Sequence, residues 1–371
     1  MERLLDHLKI LDLSRAVSGP FAGRVLSDLG ADVVKVEPPS GDVSDAFGVV
    51  QAGRSGLFAQ LNVGKRNVRL DLADPDDLAY ARSLAAVADV VIENFRPGVI
   101  DRLGLGYESL VADNPSVVML SISGFGANSP EAERRAFAPV VHAESGLLVR
   151  QARFDDRPPA DYAFALADTL AALHGVIALL AALARRDRTG QGQHIDLSML
   201  DALVASDDYT HEVLDGKPGL GNRGTIWDAT GGPVLVAADV RSAWSSLKAS
   251  EGLDDGLPST ASLEEKIAAR RARIDEWFHS FESRAALFEG LDRVGIAFGD
   301  VRAPEDLLDE PSMRARPPYD DVDDGGGGTR RVVRMPYYFS AAAAGIAGRV
   351  SPPDGDRLSV SEDWLKRRGE R

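Results

Sequence analysis

Residues 8–36 read LKILDLSRAVSGPFAGRVLSDLGADVVKV, and the pattern of this stretch decides the fold class. Residues 8–13 are a short apolar run, which Ser18-Gly19-Pro20 punctuates. Residues 21–29 then carry apolar side chains at helical spacing, and Gly30 stands where a helix C′ residue belongs. Residues 32–36 form a second apolar run. Strand, helix and strand within about thirty residues make a βαβ unit. The pattern recurs outward, with strands predicted at 66–72, 89–93 and 115–123 and a helix at 76–88. The first 125 residues therefore predict an α/β fold with a doubly wound parallel sheet.

Further on, residues 162–184 give the longest helix, apolar nearly all round and so expected to be buried on most faces. Gly190-Gln191-Gly192 ends it, 193–197 returns as a strand, and 199–214 is a further helix. Between Gly216 and about Gly299 the elements shorten and the linkers turn polar, with helices at 263–281 and 283–294. This part predicts a smaller α+β domain at residues 215–300, after a large domain at 1–214. Residues 320–328 read as a charged, glycine-rich turn, 330–338 as a strand, and the tail from Ser351 as a loose end.

Composition excludes several functions. The 371-residue chain has no cysteine, so disulfides, thiolate catalysis and iron–sulfur clusters drop out. A net charge of −15 argues against nucleic acid. The apolar stretch around 171–183 contains His174, is short for a bilayer span and reads as a buried helix. The start is mixed in charge and unlike a signal peptide, so a cytoplasmic protein with no membrane partner is expected. The six histidines, at 7, 142, 174, 194, 211 and 279, have no metal-ligand spacing, and no metal or other cofactor is expected. His174 reads as a satisfied core histidine. Gly219-Leu220-Gly221-Asn222-Arg223-Gly224 matches a dinucleotide fingerprint in letters, but a helix precedes it and a strand follows, so it reads as an interdomain loop.

Two constellations remain. Asp168 lies in Phe164-Ala165-Leu166-Ala167-Asp168-Thr169-Leu170-Ala171, among apolar and small neighbours. A buried helical carboxylate is costly unless bonded, and catalysis is a frequent reason to bear that cost. A structural aspartate bonded to a nearby loop is the alternative. Asp161 could share its face or cap the helix. The second constellation is basic: Lys65 and Arg66 before a strand, Asn94-Phe95-Arg96-Pro97-Gly98 after one, and Arg102 a turn later. Arginine forks at the carboxyl edge of a parallel sheet suit phosphate.

These residues, in this order, resemble class III CoA-transferases of the CaiB/BaiF type. Asp12-Leu13-Ser14 through Ser18-Gly19-Pro20, Leu29-Gly30-Ala31-Asp32 through Glu37-Pro38, Glu93-Asn94-Phe95-Arg96-Pro97-Gly98 and Ser121-Ile122-Ser123-Gly124-Phe125-Gly126 carry the resemblance, with the run from Gly190 to Ala202. The resemblance implies a Rossmann-like large domain built from both chain ends, so that residues 301–371 return to it, and two interlocked subunits. It implies an acyl-CoA:carboxylate CoA-transferase with acyl-CoA and a small carboxylic acid as partners, and Asp168 as nucleophile. CoA contacts would fall on Val17, Ser18, Leu70, Asp71, Leu72, Ala73, Asn94, Phe95, Arg96, Arg102, Arg134, Arg135, Ala136 and Phe137. Val17 stands where oxalate-linked members carry glutamine, which favours a less polar acyl group. Pro38 and Ala73 replace basic residues of those members, and Ala138 follows Phe137 where an acidic residue is common. The rival within the superfamily is an α-methylacyl-CoA racemase, which needs a second acid/base group, usually a histidine, where Phe137 stands. A non-catalytic CoA-binding relative is the third possibility, and an intact Asp168 argues against it.

Overall fold

The computed structural model describes residues 2–216 and 224–366. The chain divides into two compact units, Met1–Thr210 with Pro317–Arg371, and His211–Arg316. The smaller unit thus continues past residue 300, where the sequence had placed its end.

The large unit is wound on six strands: β1 (Lys9–Asp12), β2 (Asp32–Glu37), β3 (Arg66–Arg69), β4 (Val90–Glu93), β5 (Val118–Ser123) and β6 (Gln193–Ser198). They lie in the order β3-β2-β1-β4-β5-β6, and every neighbouring pair is parallel. Its helices are α1 (Ser18–Asp28), α2 (Gly56–Asn62), α3 (Pro75–Ala85), α4 (Val99–Arg102), α5 (Tyr107–Asp113), α6 (Ala138–Glu144), α7 (Leu147–Asp155), α8 (Leu166–Thr189) and α9 (Met199–Ser206). Consecutive strand residues enter opposite cores. Ile10, Val33, Val90 and Val118 pack with α1, α8 and α9, while Leu11, Val34, Val91 and Met119 pack with α3 and α5. Burial on both faces is why these strands read as unbroken apolar runs. The winding direction reverses between β1 and β4, so the loops that leave their carboxyl ends part there and open a crevice.

Helix α8 differs from expectation at both its start and its faces. It begins at Leu166 rather than residue 162, which puts Asp168 in its first turn. Its buried residues, Ala167, Asp168, Ala171, Ala172, Gly175, Val176, Leu179, Ala182 and Leu183, lie on one side, and Ile177 is 64% exposed. At 24 residues it is long and apolar enough to cross a membrane by length and composition. Its buried side packs on β5, β6, α1 and α9. A Cβ on Gly175 would come within 2.8 Å of Leu120, so the helix needs glycine to lie this close to the sheet.

The returning segment forms an antiparallel hairpin, β10 (Tyr319–Asp323) and β11 (Thr329–Val333), after the strands β7 (Thr225–Trp227), β8 (Val234–Val236) and β9 (Phe298–Asp300) of the small unit. The charged turn is therefore shorter than predicted. Asp324 closes it by accepting the N–H groups of Gly326 and Gly328 at 2.8 and 3.0 Å. Nor is the tail loose through residue 366: Val360 and Trp364 are buried against the β2–β3 side of the sheet, and the Trp364 indole donates to Asp32 at 2.8 Å.

In the small unit, β7, β8 and β9 make an antiparallel sheet, packed with helices at Val240–Glu251, Leu263–His279 and Arg284–Arg293 around Trp227, Trp244, Trp277 and Phe278. The glycine fingerprint at Gly219–Gly224 lies outside the described residues up to Arg223, and Gly224 leads into β7.

Candidate functional site

A cleft of about 310 Å³ opens at the reversal point of the sheet, and Asp168 lines it. Three backbone and side-chain donors hold this carboxylate: the N–H and hydroxyl of Ser18, the first residue of α1, and the N–H of Ala138, the first residue of α6. Burial nevertheless dominates and pushes its pKa above the ordinary value, while the three donors oppose that rise. The result is a carboxylate largely stripped of water, oriented by fixed donors and open to the cleft on one side.

Asn94 organises the donors. Its amide nitrogen donates to the Ser18 hydroxyl at 3.1 Å and to the Arg15 carbonyl at 2.7 Å, and its oxygen accepts the Arg15 N–H at 2.7 Å. The chain Asn94, Ser18, Asp168 thus links the loop after β4 to the first turns of α1 and α8. Gly19 is required here, since a Cβ on it would overlap Ser14.

His142 supplies what α8 lacks. No side chain of the helix's own caps its start. The buried His142 ring accepts the Ala167 N–H at Nε2, 3.1 Å away, and its Nδ1 lies 2.8 Å from Asp161. An Nε2 that accepts a backbone N–H carries no proton, so Nδ1–H donates to the Asp161 carboxylate. Asp161 is therefore neither the helix cap nor on Asp168's helical face; it orients the histidine that does the capping.

A second, smaller cavity of about 130 Å³ shares Phe95, Pro97 and Ser123 with the first. Glu93 lies in its wall, 4% exposed, accepting the Phe95 N–H at 2.7 Å and the Ser121 hydroxyl. Burial first, and the Asp101 and Asp196 charges after it, raise the Glu93 carboxyl to about 7 against those two bonds. The Ser121 hydroxyl also meets His194 Nε2 at 2.9 Å. Among the described residues no group of three His, Asp or Glu side chains is placed to hold a metal ion.

A sequence profile described as CoA-transferase family III matches residues 5–357. The chain belongs to this family. It is 32% identical over 344 residues to the succinyl-CoA:mesaconate CoA-transferase of Haloarcula hispanica, which covers 86% of this chain and 85% of that one. The succinyl-CoA–D-citramalate CoA-transferase of Chloroflexus aurantiacus is 37% identical over 205 residues. That match takes in 55% of this chain and spans about half, 51%, of the relative's length. The crystal structure of a CaiB/BaiF family protein from Brucella suis superposes with a TM-score of 0.82 at 30% identity, covering 98% of this chain and all of the other.

In this family III chain the structure brings Ser18, Asn94, Phe95, Arg96, Arg134, Ala136, Phe137 and Asp168 to one cleft, with Val17 at the cap of α1 beside it. Others expected at the site stand apart. Residues 70–73 follow β3, two strands from the reversal; Leu70 is buried in the core, and Asp71 and Ala73 bond within the turn that starts α3. Arg102, at the end of α4, and Arg135 are exposed and outside the cleft lining. The basic pair Lys65 and Arg66, at the start of β3, is structural. Lys65 is buried against Asp12, the Pro20 carbonyl and Asn62 at 2.7–2.9 Å, and Arg66 pairs with Asp32 and Asp363. His174 is half-buried and bonded to Ser206 at 2.8 Å. Sequence reasoning missed Arg15, Glu93 and the role of His142. Only Glu93 had a local signal, as the last residue of an apolar strand.

Proposed function

We propose that this protein is an acyl-CoA:carboxylate CoA-transferase with Asp168 as nucleophile. The observation that carries this reading is the buried, donor-held carboxylate facing a cleft at the reversal point of the sheet. The Asp168 carboxylate attacks the donor thioester carbonyl and expels CoA thiolate, leaving a mixed anhydride. Thiolate then attacks the aspartyl carbonyl, releasing the donor acid and forming an aspartyl-CoA thioester. The acceptor carboxylate attacks that thioester, thiolate leaves again, and its return to the new acyl carbonyl yields the product acyl-CoA and free Asp168. Each step exchanges one carboxyl or thiol leaving group, so one difficult transfer becomes several easier ones. The anhydride hydrolyses readily, and an enclosed cleft that limits water suits it. The Ser18 and Ala138 N–H groups are fixed donors that stabilise negative charge on the aspartyl oxygens without reorganising.

CoA itself is proposed to lie along Asn94, Phe95 and Arg96 towards Arg102 and the carboxyl end of β3. Relatives named for succinyl-CoA make it the first donor to try. A racemase is disfavoured by two residues. Phe137, at the cap of α6, has no proton to move, and both ring nitrogens of His142 are committed to Asp161 and Ala167. An interlocked homodimer is part of the proposal. It is supported by apolar side chains exposed on the large unit, including Val49, Phe164 and Ile177. The test is incubation with succinyl-CoA and other acyl-CoAs against a panel of free acids, with mass spectrometry of the CoA products. New acyl-CoAs dependent on the added acid are expected. Their absence for every pair, with CoA still bound, overturns the reading.

A further inference from the structure

We propose that Asp42 is a positioning residue for the transfer step: its carboxylate holds the strained turn at Ala16 that aims the Ser18 donors at Asp168. The inference rests on the transferase reading above and goes beyond it, giving a part in the reaction to a buried side chain outside the cleft lining.

Between β1, which ends at Asp12, and α1, which opens at Ser18, the chain turns at Ala16 with a left-handed φ of 63°. A Cβ makes that conformation unfavourable, so it persists only where neighbouring groups impose it. Among the described residues, Ala16, Ala52, Asp156 and Asp354 are the residues other than glycine at positive φ, and of these only Ala16 lines the cleft. Val17, the cap of α1, and Ser18 follow it directly, so the turn at Ala16 sets the direction in which the Ser18 N–H and hydroxyl point. Those two groups donate to Asp168. Strain at Ala16 is therefore coupled to the geometry of the nucleophile.

Asp42, in the loop between β2 and α2, supplies the restraint. Its Oδ1 accepts the Ala16 N–H at 3.1 Å, and the same oxygen accepts the Ser44 N–H at 2.9 Å and the Ser44 hydroxyl at 2.8 Å. The carboxylate is 4% exposed, with its other oxygen 3.2 Å from the Lys35 ammonium. A bond from a backbone N–H to a charged acceptor is stronger than one between neutral groups. The loop that carries Asp42 is itself fixed, because Arg54 pairs with Glu37 at the end of β2 and with Asp45, at 2.7 and 2.9 Å. Lys35 also donates to the Ser14 carbonyl, and Asp12 accepts the Ser14 N–H at 3.0 Å, so the turn is held on its near side too. Asn94 grips Arg15, one residue earlier, and leaves the Ala16 N–H to Asp42. A purely structural Asp42 would matter through its charge beside Lys35, whereas a positioning Asp42 matters through its oxygen at Ala16. Substitution separates the two.

The test measures kcat and KM for CoA transfer, with urea stability alongside, in wild type, Asp42→Asn, Asp42→Ala, Ala16→Gly and the double variant Asp42→Ala with Ala16→Gly. Asp42→Ala should lower kcat about 10- to 100-fold, the population lost when a left-handed residue with a Cβ is released. KM for the acyl-CoA should change by less than about threefold, because the lost bond acts on the nucleophile and not on substrate binding. Glycine takes positive φ about as readily as negative, so with Ala16→Gly in place the same Asp42→Ala change should cost kcat only about twofold. Asp42→Asn keeps an oxygen for the Ala16 N–H and loses the charge beside Lys35, so it should lose stability yet recover most of the rate that Asp42→Ala loses. Should Asp42→Ala not fold, Asp42→Glu replaces it in the same comparison, since it keeps the charge for Lys35 and moves the oxygen off Ala16. A kcat loss as large with Ala16→Gly as without it, or no kcat loss in the folded variant, overturns the role of Asp42 and leaves the transferase reading in place. Wild-type protein that passes CoA to no acid overturns both.

Discussion

Glu93→Gln isolates a pH effect whose sign and size the structure sets. The carboxyl is buried in the wall of the smaller cavity and raised from 4.5 to about 7. A folded-state value above the unfolded one means the native protein holds this proton more tightly. Its contribution to stability is therefore fully present below pH 4.5 and is lost as pH climbs through about 7. At about 1.4 kcal/mol for each pH unit, the loss is on the order of 3 kcal/mol once both states are ionised. Glutamine keeps an oxygen for the Phe95 N–H and cannot ionise. The variant should match wild type near pH 4.5 and exceed it by about 3 kcal/mol near pH 8. Urea unfolding of both proteins at one protein concentration from pH 4.5 to 8.5 measures the difference, and contributions from other groups cancel in it. A difference that stays flat across this range, or that favours wild type as pH rises, refutes the reasoning.

Other substitutions probe separate links. His142→Ala strips the acceptor from the Ala167 N–H and should destabilise the protein by about 1–3 kcal/mol. It should also lower the transfer rate more than it raises KM for the acyl-CoA, measured by steady-state kinetics. Trp364→Ala should cost about 3–5 kcal/mol in urea unfolding, because the ring is 2% exposed rather than part of a loose end. Arg96→Ala and Arg102→Ala should each weaken CoA binding by about 1–3 kcal/mol in calorimetry, and less for a pantetheine thioester without the nucleotide.

The parallel sheet was legible because its strands are buried on both faces and therefore appear as uninterrupted apolar runs between turn signals. The hairpin turn was legible for a local reason too, since Asp324 and its glycines close it within five residues. What escaped the sequence depends on contacts between distant residues. The start of α8 was misplaced because its cap is a histidine far back in the chain, held by an aspartate that sequence spacing would assign to the helix itself. The tail looked loose because Trp364 stands alone in a charged segment, and only the sheet beneath it gives it a partner. The basic clusters looked equivalent in sequence, yet Lys65 faces a buried aspartate while Arg96 faces the cleft. Asp168 stood out from its apolar neighbours, but the Ser18 and Ala138 donors that orient it come from other helices.

The central claim is that Asp168 carries the acyl and CoA groups covalently. Hydroxylamine added during turnover with an acyl-CoA attacks an activated carboxyl and leaves a hydroxamate on the residue that bore it. Peptide mass spectrometry should find that hydroxamate at residue 168, dependent on the acyl-CoA and absent from Asp168→Asn, which binds CoA but exchanges none. CoA exchange that proceeds with residue 168 unmodified contradicts the account. So does rapid deuterium uptake at the α-carbon of a 2-methylacyl-CoA with no CoA passed to any acid.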